Sequence, residues 1–106
     1  MKISKKQPSQ KAKHTEMDLY QAISLIKSPE EAKCFFQDLC TPAEIQAMAD
    51  RWRVVACVKA GKSYRQIYEE TGVSVTTVGR VARSLMLGEG GYHLIYARLE
   101  KNKHEK

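Results

Sequence analysis

Between Ser74 and Arg83 the chain mixes short hydroxyls, small apolar residues and guanidinium groups: Ser74, Val75, Thr76, Thr77, Val78, Gly79, Arg80, Val81, Ala82, Arg83. Hydroxyls and arginines so close together suit the holding of phosphate oxygens and base edges, a chemistry of recognition rather than of bond cleavage. Lys62, Arg65 and Tyr68 precede them and carry polar groups of the same use. Catalytic chemistry has little to work with. No Ser/His/Asp set, paired carboxylates, phosphate loop or metal cluster stands at working spacing. His14, His93 and His104 lie near the ends; Cys34, Cys40 and Cys57 are odd in number, with no CxxC and no neighbouring histidine. The thiols read as buried, and no enzyme activity, metal or required cofactor is expected.

Two helices and a turn must position these groups. Tyr64, Ile67, Tyr68 and Thr71 fall three and four apart, the spacing of one helix face. Ser63 with Gln66 three residues later is a capping-box signature that starts this helix near Tyr64. Gly72 sits where a chain leaving a helix needs a left-handed residue. Val73 can pack inward, and Ser74 is a good N-cap for a second helix beginning at Val75. That helix would turn Val75, Val78, Val81, Ala82 and Leu85 inward. Thr76, Thr77, Gly79, Arg80, Arg83 and Ser84 would face out. An ordinary helical hairpin would share the glycine turn, but it has no need of an outer face so poor in stabilising residues. A helix-turn-helix over about residues 63–87 explains that face as a reading surface for DNA.

The chain has 106 residues, enough for one helical domain, read as 15–106. A core this small favours dimerisation. No apolar run is long enough for a membrane span, and the N-terminal lysines precede no hydrophobic segment of a signal peptide. Net charge is +6, unevenly spread. Residues 1–14 carry five lysines and no acid, and read as a disordered arm that brushes a DNA backbone or merely aids solubility. Residues 15–50 are acidic on balance, and residues 51–98 hold eight basic against three acidic side chains. The basic charge of the folded part thus travels with the helix-turn-helix, an electrostatic footprint for phosphates.

A first helix is expected from Thr15 to Lys27, burying Leu19, Ala22, Ile23 and Ile26. Ser28-Pro29-Glu30-Glu31 restarts the chain with a cap, a proline at the first helical position and a capping box. This second helix ends near Cys40 and buries Ala32, Phe35, Phe36 and Leu39. Thr41-Pro42-Ala43-Glu44 repeats the start signal for the longest helix, Pro42 to about Ala60, with an apolar stripe of Ile45, Met48, Ala49, Trp52, Val55 and Ala56. Gly61 stops it. Gly88-Glu89-Gly90-Gly91 breaks the chain again before a last helix from Tyr92 to about Lys101, burying Leu94, Ile95 and Leu99. The reading is all-α, with six helices.

Thr41-Pro42-x-Glu44, Arg51-x-Arg53-Val54-Val55, Gly61 and Gly72-x-x-x-Thr76-Thr77-Val78-x-Arg80 with Ser84-Leu85 follow in a recognisable order. Together they resemble the Trp repressor family, over about residues 39–86. Arg-Trp-Arg-Val-Val looks more like its YerC/YecD-type branch than like the tryptophan-sensing repressors. The resemblance implies a six-helix, intertwined homodimer with each second helix-turn-helix element in a major groove, reading half-sites roughly 34 Å apart on a near-palindromic operator. It places Arg65 where a base-contacting arginine lies, and Val75, Thr76, Thr77 and Gly79 at the groove-facing start of the recognition helix. Tyr68 stands where the repressor has a phosphate-contacting lysine. Water-mediated base contacts are a documented feature of the Trp repressor.

The resemblance also implies an effector pocket. Two arginines flank the indole ring of bound tryptophan in the family, and those positions are Arg51 and Arg80. Thr41, Thr77 and Ser84 match pocket positions too, and Val55 lies beside them. The glycine that leaves space for the amino acid is replaced by Val81. Filling such a space costs about 1–3 kcal/mol or more, by analogy with overpacked cores. L-tryptophan is therefore not the expected corepressor. Arg51 and Arg80 could equally pair with Glu44 or Asp50, or meet phosphates.

The expectation is a cytoplasmic, nucleoid-associated bacterial regulator that binds double-stranded DNA as a homodimer, a repressor by resemblance. Its alternative is a helix-turn-helix module serving a replication, recombination or polymerase partner.

Overall fold

A computed structural model describes residues 10–104. Over them the chain forms six α-helices: α1 Gln10–Ile23, α2 Pro29–Leu39, α3 Pro42–Lys59, α4 Tyr64–Thr71, α5 Val75–Leu87 and α6 Gly91–His104. No strand occurs among the described residues. None of the helices is long and apolar enough to cross a membrane. The first nine residues of the expected basic arm lie outside the described residues.

α1 begins at Gln10, inside that arm, because the Thr15 hydroxyl donates to the Lys11 carbonyl (3.0 Å) instead of capping a helix. It ends four residues before Lys27. There the Ser24 hydroxyl donates to the Gln21 carbonyl (2.7 Å), and Leu25 and Ile26 bond three residues back, so the turn tightens and stops. The other starts fall where expected. Ser28 caps α2 by accepting from Glu31 N, but the Glu31 carboxylate reaches back to Lys27 N (2.9 Å), one residue before the cap. Thr41 and Glu44 form a complete reciprocal box at the head of α3. At its foot Gly61 adopts φ 82°, while Gly61 N donates to Val58 O and Lys62 N to Cys57 O, a Schellman ending.

The chain divides into two compact units, Met1–Cys40 and Thr41–Lys106, where the sequence reading has one domain over 15–106. The division falls at Thr41-Pro42, whose proline forces an extended residue before it. In the first unit Ala22, Ile23, Ile26, Ala32, Phe35 and Phe36 are half-buried, so the expected burial is partial, and it fails at Leu19 and Leu39, which are exposed. Phe35 and Phe36 meet edge to face, with centroids 5.7 Å apart.

The core of the second unit is Val54, Val55, Ile67, Val73, Val78 and Val81, with Trp52, Cys57, Val58, Leu85, Tyr92 and Tyr96 packed around it. Val54 and Val55, adjacent and so about 100° apart around the helix, are both buried, and α4 and α5 each pack on α3. The expected stripe on α3 is therefore displaced: Ala49 and Ala56 are exposed. α6 turns Tyr92 and Tyr96 toward Trp52, with centroids 6.2 and 6.5 Å away, and leaves Leu94, Ile95 and Leu99 exposed, contrary to expectation. The thiols are free, but Cys34 is exposed and Cys40 and Cys57 are only half-buried, so they are not the buried thiols expected.

Candidate nucleic-acid interface

The motif is built from local signals. The Ser63 hydroxyl accepts from Gln66 N (3.1 Å) to start α4; the Gln66 amide donates to Glu70 (3.2 Å) instead of returning to the cap, so the capping box is half made. Ile67 is buried and Thr71 half-buried, while Tyr64 and Tyr68 stay exposed on the flank of the same face. Gly72 takes φ 79°, which a residue with a Cβ rarely adopts. Thr71 locks the turn: its hydroxyl donates to Ile67 O (2.7 Å) and accepts from Val73 N (3.0 Å). Val73, 6% exposed, drops into the core.

Ser74 caps α5 by accepting from Thr77 N (3.2 Å), and its hydroxyl donates to Thr77 Oγ1 (3.1 Å). Val78, Val81 and Ala82 are buried and Leu85 is half-buried. Val75 is not part of this inward face. It is 50% exposed at the first turn of the helix. Thr76, Arg80 and Arg83 are exposed, and Thr77 and Gly79 are half-buried. Ser74, Val75, Thr76, Gly79, Arg80 and Arg83 thus gather on and around one helix face.

The cations of α4 and the preceding loop are engaged. Lys62 pairs with Glu70 at 2.7 Å, and Arg65 meets Glu69 at 3.4 Å with its side chain 87% exposed. Surface pairs of this kind are worth little and are readily exchanged for a phosphate. Arg80 and Arg83 form no ion pair among the described residues. The hydrogen bond between Lys62 and Glu70 is the main cause that raises the lysine's pKa above 10.5 and lowers the carboxyl's below 4.5. The Glu70 contribution is complete above the ordinary carboxyl value and is lost as pH falls through the lowered one. The Lys62 contribution is complete below 10.5 and is lost as pH rises through the raised value. The pair is therefore intact throughout the neutral range.

The expected effector residues divide by burial. Thr41 is exposed and occupied in capping α3; Ser84 and Arg80 are exposed, and Arg51 and Thr77 are half-buried. Val55 and Val81 have no exposed surface and belong to the same core cluster. The ion pairs considered for Arg51 and Arg80 do not form: Glu44 serves the cap, and Asp50 accepts from Gln46 (2.9 Å).

Sequence reasoning placed Thr71 and Tyr64 on the α4 face without their part at the turn, and gave His93 no role. Thr71 bonds across the turn, and Tyr64 Cε2 lies 3.7 Å from where a Cβ on Gly79 would stand. His93, on α6, joins three helices: Lys59 donates to its Nδ1 (3.0 Å), which puts the ring proton on Nε2, donated to Leu85 O at the end of α5 (2.7 Å). Lys59 also stands 5.2 Å from the centroid of the Tyr96 ring.

Residues 15–100 match a family model described as Trp repressor protein. The chain is 38% identical over 96 residues to the uncharacterised protein YerC of Bacillus subtilis (strain 168), covering 90% of this chain and 92% of that one. A crystal structure of a TrpR-like protein from Eubacterium eligens ATCC 27750 superposes with a TM-score of 0.78 at 38% identity, covering 82% of this chain and 90% of the other. A solved structure from Staphylococcus aureus gives the same score and identity over 82% and 87% of the two chains.

Proposed function

The chain belongs to the Trp repressor family, and from that premise we propose that it is a sequence-specific, double-stranded-DNA-binding transcriptional regulator, a repressor acting as a homodimer in the bacterial cytoplasm. The observation that carries this reading is the capped α4–Gly72–α5 unit, whose outer face joins hydroxyls to two arginines that have no carboxylate partner among the described residues. A homodimer is supported by the apolar side chains one chain leaves exposed on helices that bury nothing fully, such as Leu39 on α2 and Leu94 and Ile95 on α6. A second copy would cover them and set two recognition helices on a near-palindromic site.

Arg65 is the base-reading arginine of α4, and Ser74, Val75, Thr76, Thr77 and Gly79 are the front of the recognition helix. Arg80, Arg83, Lys62 and Tyr68 serve the backbone. Arg65→Ala should lower discrimination between operator and random DNA by about 1–3 kcal/mol, the worth of a bidentate guanine contact. Gel shifts in which this variant keeps the wild-type ratio of specific to random binding would remove Arg65 from that role.

Glu70→Gln should act the other way. It releases Lys62 from its carboxylate, so binding tightens and the slope of log K against log salt steepens by about 0.9 for each phosphate gained. An unchanged slope would show that Lys62 stays off the backbone.

No ligand is assigned to this regulator. Val81 fills the position beside Val55 where an effector would sit, and L-tryptophan is not its corepressor.

A further inference from the structure

We propose that Tyr64 is a specificity-determining residue: its ring stands in for the side chain that Gly79 lacks and reads a thymine methyl from the groove face of α5. The proposal rests on the DNA-binding reading above. Glycine is a poor choice for a helix interior, and Gly79 lies well inside α5. It follows Val75 by four residues and Thr76 by three, so all three share the face that the motif offers to DNA. A Cβ built on Gly79 would lie 3.7 Å from Tyr64 Cε2, the only side-chain atom near it. The edge of the Tyr64 ring thus covers the notch in the recognition helix.

The ring has surface to spare. Tyr64 opens α4 and is 47% exposed, and its hydroxyl has no hydrogen-bond partner among the described residues. Tyr68, one turn further along α4, and Val75 are exposed to a similar degree, so the face between the helices is apolar at its centre and basic at Arg65, Arg80 and Arg83. In a major groove the apolar group available to such a surface is the C5 methyl of thymine.

The test is selection from a randomised double-stranded library by full-length wild type, Tyr64→Phe and Tyr64→Ala, followed by binding to the selected site with each thymine replaced in turn by uracil. Wild type and Tyr64→Phe should share a thymine preference of about tenfold at one position per half-site, the order expected for one buried methyl. Tyr64→Ala should lose that preference and keep the others, and uracil at that position should cost wild type the same factor while leaving Tyr64→Ala unaffected. A Tyr64→Ala variant that keeps every preference, or a Tyr64→Phe variant that loses the thymine as completely, overturns the proposal alone. A wild type that enriches no sequence overturns the DNA-reading function and this proposal with it. Tyr64→Phe keeps the ring packed on Gly79, so loss of fold in Tyr64→Ala is recognised by comparing their melting temperatures.

Discussion

Val81→Gly is expected to destabilise the protein by about 2–4 kcal/mol and to create a response to L-tryptophan that the unaltered chain lacks. Val81 has no exposed surface and packs with Val54, Val55, Ile67, Val73 and Val78. Removing its isopropyl group gives up the transfer free energy of a buried side chain, leaves a void, and adds the helix penalty of glycine. In a domain of this size each kcal/mol corresponds to about 4–8 °C, so the melting temperature should fall by about 8 °C or more. The void opens between α3, which carries Arg51, and α5, which carries Arg80, and neither guanidinium group has an ion pair among the described residues. Tryptophan at a hundred times its dissociation constant would then restore about 2.7 kcal/mol. Thermal-shift titrations of both proteins decide the matter. Clear stabilisation of the unaltered chain by tryptophan would show that Val81 does not close the site.

The double variant Arg80→Ala, Arg83→Ala should lose most DNA affinity with almost no loss of fold. Both side chains are exposed and three residues apart, so they lie on one strip of α5. Neither must give up a carboxylate before it meets a phosphate, unlike Lys62 and Arg65. In a dimer two arginines become four, and each phosphate contact contributes about 0.9 to the salt slope. The slope should therefore fall by about 3–4, and affinity at low salt by at least about a hundredfold. Stability should stay within about 0.5 kcal/mol, as for surface substitutions generally. An unchanged salt slope would mean that DNA, if bound, meets another face.

What was legible in the sequence is what local chemistry decides. Thr41 with Glu44, Ser74 before Val75, and Gly72 after Thr71 each act within a few residues, and each sets a helix boundary where the sequence places it. The six helices and the family follow from such signals. What was not legible depends on contacts across space. Val54 and Val55 are both buried because two helices approach α3, which one periodic stripe cannot express. Val75 fits the inward spacing of α5 but stays half exposed, since a helix end projects past its neighbours. Leu94, Ile95 and Leu99 satisfy the spacing of a buried face, yet in α6 two tyrosines take that place against Trp52. The Tyr64–Gly79 contact spans the turn, and nothing in either residue's neighbours announces it.

His93 bears on how costly it is for this protein to dock. The first turn of α5 is tied through Ser74 and the Thr71 hydrogen bonds, and its last turn through Leu85 O to His93 and on to Lys59 of α3. A rod held at both ends has little orientational freedom left to surrender. Association normally gives up conformational entropy at the surface that makes contact, and that loss subtracts directly from affinity. In this chain much of the ordering is already complete when the fold forms. A helix so held would meet a partner with most of its ordering already done, and the entropy lost on docking would fall mainly on the ends of its exposed side chains.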